Sequence, residues 1–333
     1  MDLESLHVQR EAGVEVIVAI DSTVRGPALG GCHWRPYQSV ETARRDAAGL
    51  ARVTTRRAAL ARLSHGGGKT VVIGDPRERT TKQLLMLGDF VDALEGRYIV
   101  AADTGVGEEE MAVIAERTGF VVGLPDHLGG CGGPGPYTAQ GVHLAMQAAL
   151  GHRGQSLEGA RVAIQGVGTV GSCLVEHLLE SGARPIVADT MPEALSDLPE
   201  GVEVVAPDAI LTVECDVFSP CGPAGVIDAQ VAEQVCCHVV CGSANDPLEH
   251  IGIGSLLEHR GIFYVPDFLA NAGGLIHLAA ALEGGDGEDS QRRLGIIPEN
   301  LERVMAYASA QRVSTAVAAE RLASAAIAGV DDA

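Results

Sequence analysis

In the run Arg57-Ala-Ala-Leu-Ala-Arg-Leu-Ser-His-Gly66-Gly67-Gly68-Lys69, an amine follows directly on three residues that carry no side chain. Backbone without Cβ atoms lets a ligand approach closely, and the lysine stands where that approach ends. Ala102-Asp103-Thr-Gly105 offers a carboxyl at the end of an apolar, β-branched stretch, the kind of place where α/β folds gather chemistry. A site for a small molecule is the natural reading of the glycines and the lysine that follows them. The plain alternatives are a surface lysine and a turn-capping aspartate. Each residue follows a glycine-rich or buried-looking segment, which counts against both.

A second constellation points to a dinucleotide. Val162-Ala-Ile-Gln-Gly166-Val-Gly168-Thr169-Val170-Gly171 follows a strand pattern and opens a helix pattern, and Asp189 ends the next strand, Pro185-Ile-Val-Ala. Gly166 permits the tight turn, Gly168 lets the backbone approach a pyrophosphate, and Gly171 allows close helix packing. The helix N-terminus at Thr169 and Val170 attracts the anion. Asp189 would accept hydrogen bonds from the adenosine ribose and repel a 2′-phosphate, so NAD is favoured over NADP. A merely structural glycine turn explains fewer of these four features.

Composition narrows the classes. A net charge of −20 and 3% aromatic residues speak against a nucleic-acid partner, which needs clustered cations and stacking surfaces. Eight cysteines in 333 residues make no disulfide framework, and no basic-then-apolar leader opens the chain, so a reduced, cytoplasmic setting is expected. No apolar run reaches the roughly 20 residues of a membrane span. Cys236-Cys237-His238-Val-Val-Cys241 could be read as metal ligands, but it has the pattern of a buried strand with cysteine as a small hydrophobe, and no metal site is expected.

The elements that must hold these groups alternate. Val14–Asp21 reads as a strand and Gly26–Gly31 as a glycine-rich turn. From Val40 the pattern is helical, with Ala43, Ala47, Leu50, Thr54 and Arg57 along one face and Arg45, Arg52 and Arg56 on the other. Arg57 therefore faces the interior, where a ligand carboxylate would partner it. After the glycines comes the strand Thr70–Ile73, and Gly129–Pro136 is a loop at a domain boundary. Strands alternating with helices imply an α/β protein with a doubly wound parallel sheet. Gly284–Asp289 reads as a flexible acidic turn, with helix beyond it from Ile297 to Ile327. The expected domains are 1–135 for substrate and dimerisation, 136–284 for NAD, and 285–333 as C-terminal helices packing back on the first.

Together these motifs resemble the glutamate, leucine, phenylalanine and valine dehydrogenase family, most closely its branched-chain members. The likeness runs from Gly26-Pro-Ala-Leu-Gly-Gly31 through Gly66-Gly-Gly-Lys69-Thr-Val-Val-Ile-Gly-Asp-Pro76, Ala102-Asp103-Thr-Gly105 and Gly242-Ser-Ala-Asn245 to Pro266-Asp-Phe-Leu-Ala-Asn-Ala-Gly-Gly274. It implies a homo-oligomer, a dimer or higher, with a Rossmann domain and a cleft that closes on catalysis. It also implies NAD-dependent, reversible oxidative deamination of valine or leucine to the 2-oxo acid and ammonia.

By that resemblance Lys69 is the catalytic lysine and Asp103 its acidic partner. Hydride loss from the amino acid leaves an imine that water must attack, and a neutral amine can take that water's proton. Lysine's ordinary pKa of about 10.4 means that burial and nearby cations must favour that form, a field Arg57 could supply. Asp103 would pass a proton to the departing amine. Arg57 stands where the family has a lysine that grips the substrate carboxylate, and Thr54 where it has a methionine, which opens space and adds a hydroxyl. Leu29 and Gly30 would border the pocket, Gly66 and Gly67 would lie along the substrate backbone, and Leu275 and Leu278 would select the side chain. Thr138 would hold the nicotinamide carboxamide, and Asn245 would position substrate or cofactor; His277, between the leucines, reads as structural. Two other readings stay open: an aromatic substrate, phenylalanine or tryptophan, and a weakly catalytic NAD-binding regulatory protein.

Overall fold

β1 (Ser5–Glu11) and β2 (Val14–Ser22) form an antiparallel hairpin, turned by Ala12 and Gly13 with φ of 51° and 83°. β2 is buried at every position from Val16 to Ile20, so both of its faces must be covered. There follow β3 (Ala28–Arg35), α1 (Val40–Leu60), β4 (Gly66–Ile73), α2 (Thr81–Asp92), β5 (Tyr98–Ala101), α3 (Glu108–Ala115) and β6 (Val121–Val122). This is a computed structural model that describes residues 3–330. Ser39 starts α1 by accepting the Thr42 N–H at 3.1 Å, and Thr80 and Gln83 start α2 with a reciprocal capping box.

The chain divides into two units, and each is an α/β layer structure. The first runs to Pro134 and includes Leu275–Arg293 and the chain from Ala323. Its sheet has the order β1-β2-β4-β3-β5-β6, antiparallel from β1 to β4 and parallel from β4 to β6. Successive side chains point to opposite faces of a strand, so the sheet builds two cores. On one face Val16, Val18, Trp34, Val72 and Tyr98 pack with Leu84 and Leu87 of α2 and with Met111 and Ile114 of α3. On the other, Ile17, Ala19 and Val71 meet Ala43, Ala47 and Ala51 of α1. Alanines along that helix bring it close to the sheet. A Cβ on Gly67 would lie 2.1 Å from the Thr55 backbone nitrogen, so only glycine allows the approach.

The second unit contains α4 (Gly135–His152), β7 (Arg161–Gln165), α5 (Thr169–Glu180), β8 (Arg184–Ala188), β9 (Glu203–Val204), β10 (Val217–Pro220), α6 (Ala229–Gln234), β11 (Val239–Val240), α7 (Gly252–His259), β12 (Phe263–Tyr264) and α8 (Asp267–Ala270). Its sheet is wholly parallel, in the order β12-β11-β10-β7-β8-β9. Strand order reverses beside β7, which is the arrangement of a doubly wound dinucleotide fold. The chain ends with α9 (Gly273–Leu282), α10 (Gly287–Arg293), α11 (Ile296–Gln311) and α12 (Thr315–Ile327). No helix among the described residues is long and apolar enough to cross a membrane.

Four expectations differ from what is found. Gly30 and Gly31 are not in a turn, because β3 begins at Ala28, and the glycines of 66–68 begin β4 instead of preceding it. The reason is close approach: a Cβ on Gly30 would fall 1.9 Å from the Gly68 carbonyl oxygen. The acidic turn after α9 is short, since α10 already begins at Gly287. Residues 285–333 do not group as one block. Residues 294–322 belong to the second unit, where α11 packs on α4 and α8 and the Ile297 methyl sits against Gly141.

Two glycines near α1 should respond oppositely to alanine. Gly67→Ala is expected to destabilise by about 1–3 kcal/mol through overpacking. Gly49→Ala, inside α1 with nothing near the new methyl, is expected to stabilise by roughly 0.5–1 kcal/mol. Urea unfolding midpoints at constant m-value measure both; a Gly67→Ala variant as stable as the parent would show that the helix does not press on β4.

Candidate active site

β3 and β4 pair at Leu29↔Gly67 and again at Cys32↔Thr70 and His33↔Val71. Between these points Gly30 and Gly31 remain paired with β5. By strand alternation, Leu29, Gly31 and His33 share a face with Gly67, Lys69 and Val71, the face that α1 covers. The Lys69 side chain is thus carried inward and is only 4% exposed. A buried ammonium needs a partner, and Lys69 Nζ donates to Asp103 Oδ2.

Asp103 lies just beyond β5, in a turn whose backbone is closed by reciprocal hydrogen bonds to Val106 at 2.9 and 3.0 Å. Gly105, with φ of 80°, passes so close to the Trp34 carbonyl that a Cβ would stand 2.2 Å from its oxygen. Gly31 leaves the space that the Asp103 carboxylate fills. Oδ1 accepts the Thr104 N–H at 2.8 Å, and His33 Nε2 lies 3.4 Å away. About a third of the Asp103 side chain is open to solvent, which leaves it reachable by a ligand. Burial works against its ionisation, but the charge of Lys69, then the charge and hydrogen bonding of His33, hold the carboxyl well below the usual 3.8.

Behind His33 stands Asp46 of α1, its Oδ2 3.7 Å from Nδ1. Asp46 accepts from Arg35 Nη2 at 2.8 Å and from the Tyr37 hydroxyl at 2.5 Å. Burial opposes its charge too, yet His33, Tyr37 and Arg35 carry its carboxyl far below the ordinary range. His33 and Asp46 carry no motif that marks them in the sequence. Their signal is the strand parity of Gly31 and His33, which a glycine run conceals because it also has the mark of a turn.

The remaining positions in the first unit are mostly buried. Leu29 is fully buried, Gly66 and Gly67 line the start of β4, and Arg57 is half-buried in the last turn of α1. Thr54 is buried, but its hydroxyl donates to the Leu50 carbonyl at 2.8 Å, so the expected extra hydroxyl is spent inside α1. Leu275 and Leu278 are buried on α9, and Leu278 reaches Gly123, whose neighbour Ala102 precedes Asp103. His277 is tied to the Cys131 carbonyl at 2.8 Å and Ser290 Oγ at 2.9 Å, anchoring the loop ahead of α4.

In the second unit the glycine turn has the form a pyrophosphate needs. Gly166 has φ of 98°, and Gly171 packs so that a Cβ would lie 2.2 Å from the Gly166 oxygen. At Gly168, the N-cap of α5, a Cβ would meet nothing, which leaves open space before the helix N-terminus at Thr169 and Val170. Asp189 accepts the Val167 N–H at 2.7 Å and the Met191 N–H at 2.8 Å, which holds its carboxylate beside the turn. Thr138 is half-buried on α4, and Asn245 accepts from Asn271 Nδ2 at 3.3 Å. These residues fit a dinucleotide.

Comparison with known proteins extends over the same chain. The sequence profile for Glu/Leu/Phe/Val dehydrogenase, dimerisation domain, matches residues 4–119, and that for Glutamate/Leucine/Phenylalanine/Valine dehydrogenase matches residues 129–197 and 187–331. A leucine dehydrogenase of Geobacillus stearothermophilus is 41% identical over 319 residues, covering 94% of this chain and 87% of that one. A valine dehydrogenase of Streptomyces albus is 38% identical over 322 residues, covering 94% and 88%. The crystal structure of L-tryptophan dehydrogenase from Nostoc punctiforme superposes with a TM-score of 0.79 at 33% identity, covering 98% and 96%.

The depressed Asp103 carboxyl has a pH signature. A lowered folded-state pKa gives stability that is present above the unfolded value and lost as pH falls through the folded one. The stability gap between the parent and Asp103→Asn should therefore persist to about pH 4 and close only below it. A gap that does not change with pH would contradict the ion pair.

Proposed function

The chain belongs to the Glu/Leu/Phe/Val dehydrogenase family, and on that premise we propose that it is an NAD-dependent L-amino acid dehydrogenase that reversibly deaminates leucine or valine to the 2-oxo acid and ammonia. The observation that carries the proposal is the buried Lys69 amine held against Asp103 on a glycine-lined strand. Such a pair serves a reaction in which protons must enter and leave a small ligand.

When bound, the dinucleotide supplies a hydride acceptor. This chain's residues do the rest. Arg57 binds the substrate carboxylate through its planar fork, and Gly66 and Gly67 admit the substrate backbone. Lys69 takes the proton of the water that attacks the imine carbon, and Asp103 passes a proton to the departing amine. Leu29, Leu275 and Leu278 supply apolar walls, against which a second substrate carboxylate would be buried without a partner. With the Thr54 hydroxyl turned into its own helix, that wall stays apolar at this position too.

Gly166, Gly168, Thr169, Val170 and Gly171 hold the pyrophosphate, and Thr138 and Asn245 meet the nicotinamide end. The Asp189 carboxylate, fixed by Val167 and Met191, favours NAD by accepting from the ribose and repelling a 2′-phosphate. The dimerisation-domain match supports an oligomer, which we take to be of identical chains, working in the cytoplasm.

NADH absorbance with NAD and a panel of L-amino acids at alkaline pH tests this. Leucine and valine should lead, phenylalanine and tryptophan should trail, and glutamate should give nothing. Lys69→Ala should lower kcat by about 10²–10⁴-fold while NADH fluorescence shows binding unchanged. If no amino acid reduces NAD although NAD binds, the proposal fails. Asp189→Asn, which keeps shape and removes charge, should lower the NAD-to-NADP ratio of kcat/KM about tenfold, or about 1.4 kcal/mol; an unchanged ratio would remove Asp189 from cofactor choice.

A further inference from the structure

A carboxylate that handles protons must keep its place through the cycle, and the hold on Asp103 depends in part on the charge of Lys69. In its proton-accepting form Lys69 is neutral and no longer an ionic partner. Asp103 then needs another donor on the same side. The Thr104 N–H and hydroxyl both donate to Oδ1, at 2.8 and 3.4 Å, but both belong to the turn that carries Asp103 itself and move with it. His33 is the side chain that lies on the strand face of Lys69, with Nε2 3.4 Å from Oδ1.

The ring of His33 is itself oriented. It is buried on β3, and its Nδ1 makes no hydrogen bond among the described residues but faces the Asp46 carboxylate at 3.7 Å. Asp46 is fixed from α1 by Arg35 and Tyr37, and the Arg35 guanidinium lies over the Tyr37 ring at 4.7 Å. The charged and titratable groups around the ring are thus Asp103 with Lys69 behind it, Asp46, Arg35 and Tyr37. An imidazole between two carboxylates, one oriented by a donor pair and one paired with the reacting amine, has the geometry of an orienting device. A histidine kept only for packing would not need a carboxylate at each nitrogen.

We propose that His33, steadied by Asp46, is the positioning residue that keeps the Asp103 carboxylate in place when Lys69 is in its proton-accepting form. This rests on the reading of Lys69 and Asp103 as the proton-handling pair. A residue that acts through Asp103 and not on the substrate should lower kcat and leave substrate binding intact when it is lost.

The test compares His33→Ala, His33→Gln and Asp46→Asn. Misplacing a reacting group by about 1 Å costs on the order of 10²-fold. His33→Ala is therefore expected to lower kcat between tenfold and a hundredfold, by roughly that argument, with KM for the amino acid little changed. His33→Gln, whose amide can still donate to Oδ1, should recover most of the loss, and Asp46→Asn should give a smaller fall in kcat with KM intact. If the alanine variant does not fold, the glutamine and Asp46→Asn variants decide the matter. A purely structural role would lower thermal stability without the kcat-only pattern or the rescue. Independently of turnover, unfolding of His33→Ala, Asp103→Asn and the double variant should show losses that are less than additive. An alanine variant with kcat within about twofold of the parent, a glutamine variant without rescue, or additive unfolding losses would each overturn the proposal. A parent enzyme without activity would end the functional reading alone, since the unfolding cycle still reports whether His33 holds Asp103.

Discussion

An ammonium group inside a protein is stable only beside an anion, and the pairing of Lys69 with Asp103 is the constraint to which the first unit is fitted. Lysine reaches the interior because β4 is glycine at Gly66, Gly67 and Gly68, so that α1 can lie against the strand and the Tyr98 ring can fill the other side. The carboxylate reaches it because Gly31 leaves room and Gly105 lets the turn after β5 fold over Trp34. A side chain at any of these positions would move one partner away from the other. The glycines are spatial requirements of an ion pair before they are anything else.

The second unit follows a separate logic that is almost entirely backbone. Its parallel sheet reverses order at β7, and the turn leaving that strand uses one glycine for a left-handed φ, one for open space and one for tight packing. Asp189 adds a carboxylate, and its two backbone hydrogen bonds keep it at the turn. The first unit is therefore fitted around side chains, and the glycine turn of the second around main chain.

Legibility in sequence divided along the same line. The glycine turn after β7 is legible because each glycine and the following acid sit at fixed offsets in a strand-turn-helix pattern. Lys69 and Asp103 were readable as residue types in unusual settings, although their contact was not, since nothing local links β4 to the end of β5. The glycines of 26–31 misled, because a run of small residues is the mark of a turn and also of two strands in close approach. Only as part of a strand does His33 acquire a face, and with it its partners on β4, α1 and the turn after β5. Thr54 shows a further limit: a hydroxyl on a helix can satisfy itself four residues back, which residue identity alone does not reveal. The grouping of α11 with the second unit depended on Ile297 meeting Gly141, a contact between distant segments.

The central claim is that Lys69 and Asp103 work as one unit on the same ligand. The most direct measurement is a kinetic double-mutant cycle on kcat/KM for the preferred amino acid, using Lys69→Ala, Asp103→Asn and the pair. The double variant should be little worse than the poorer single one, as for groups that act together. Losses that multiply, or a single variant that keeps the parent rate, would show that the two residues act apart.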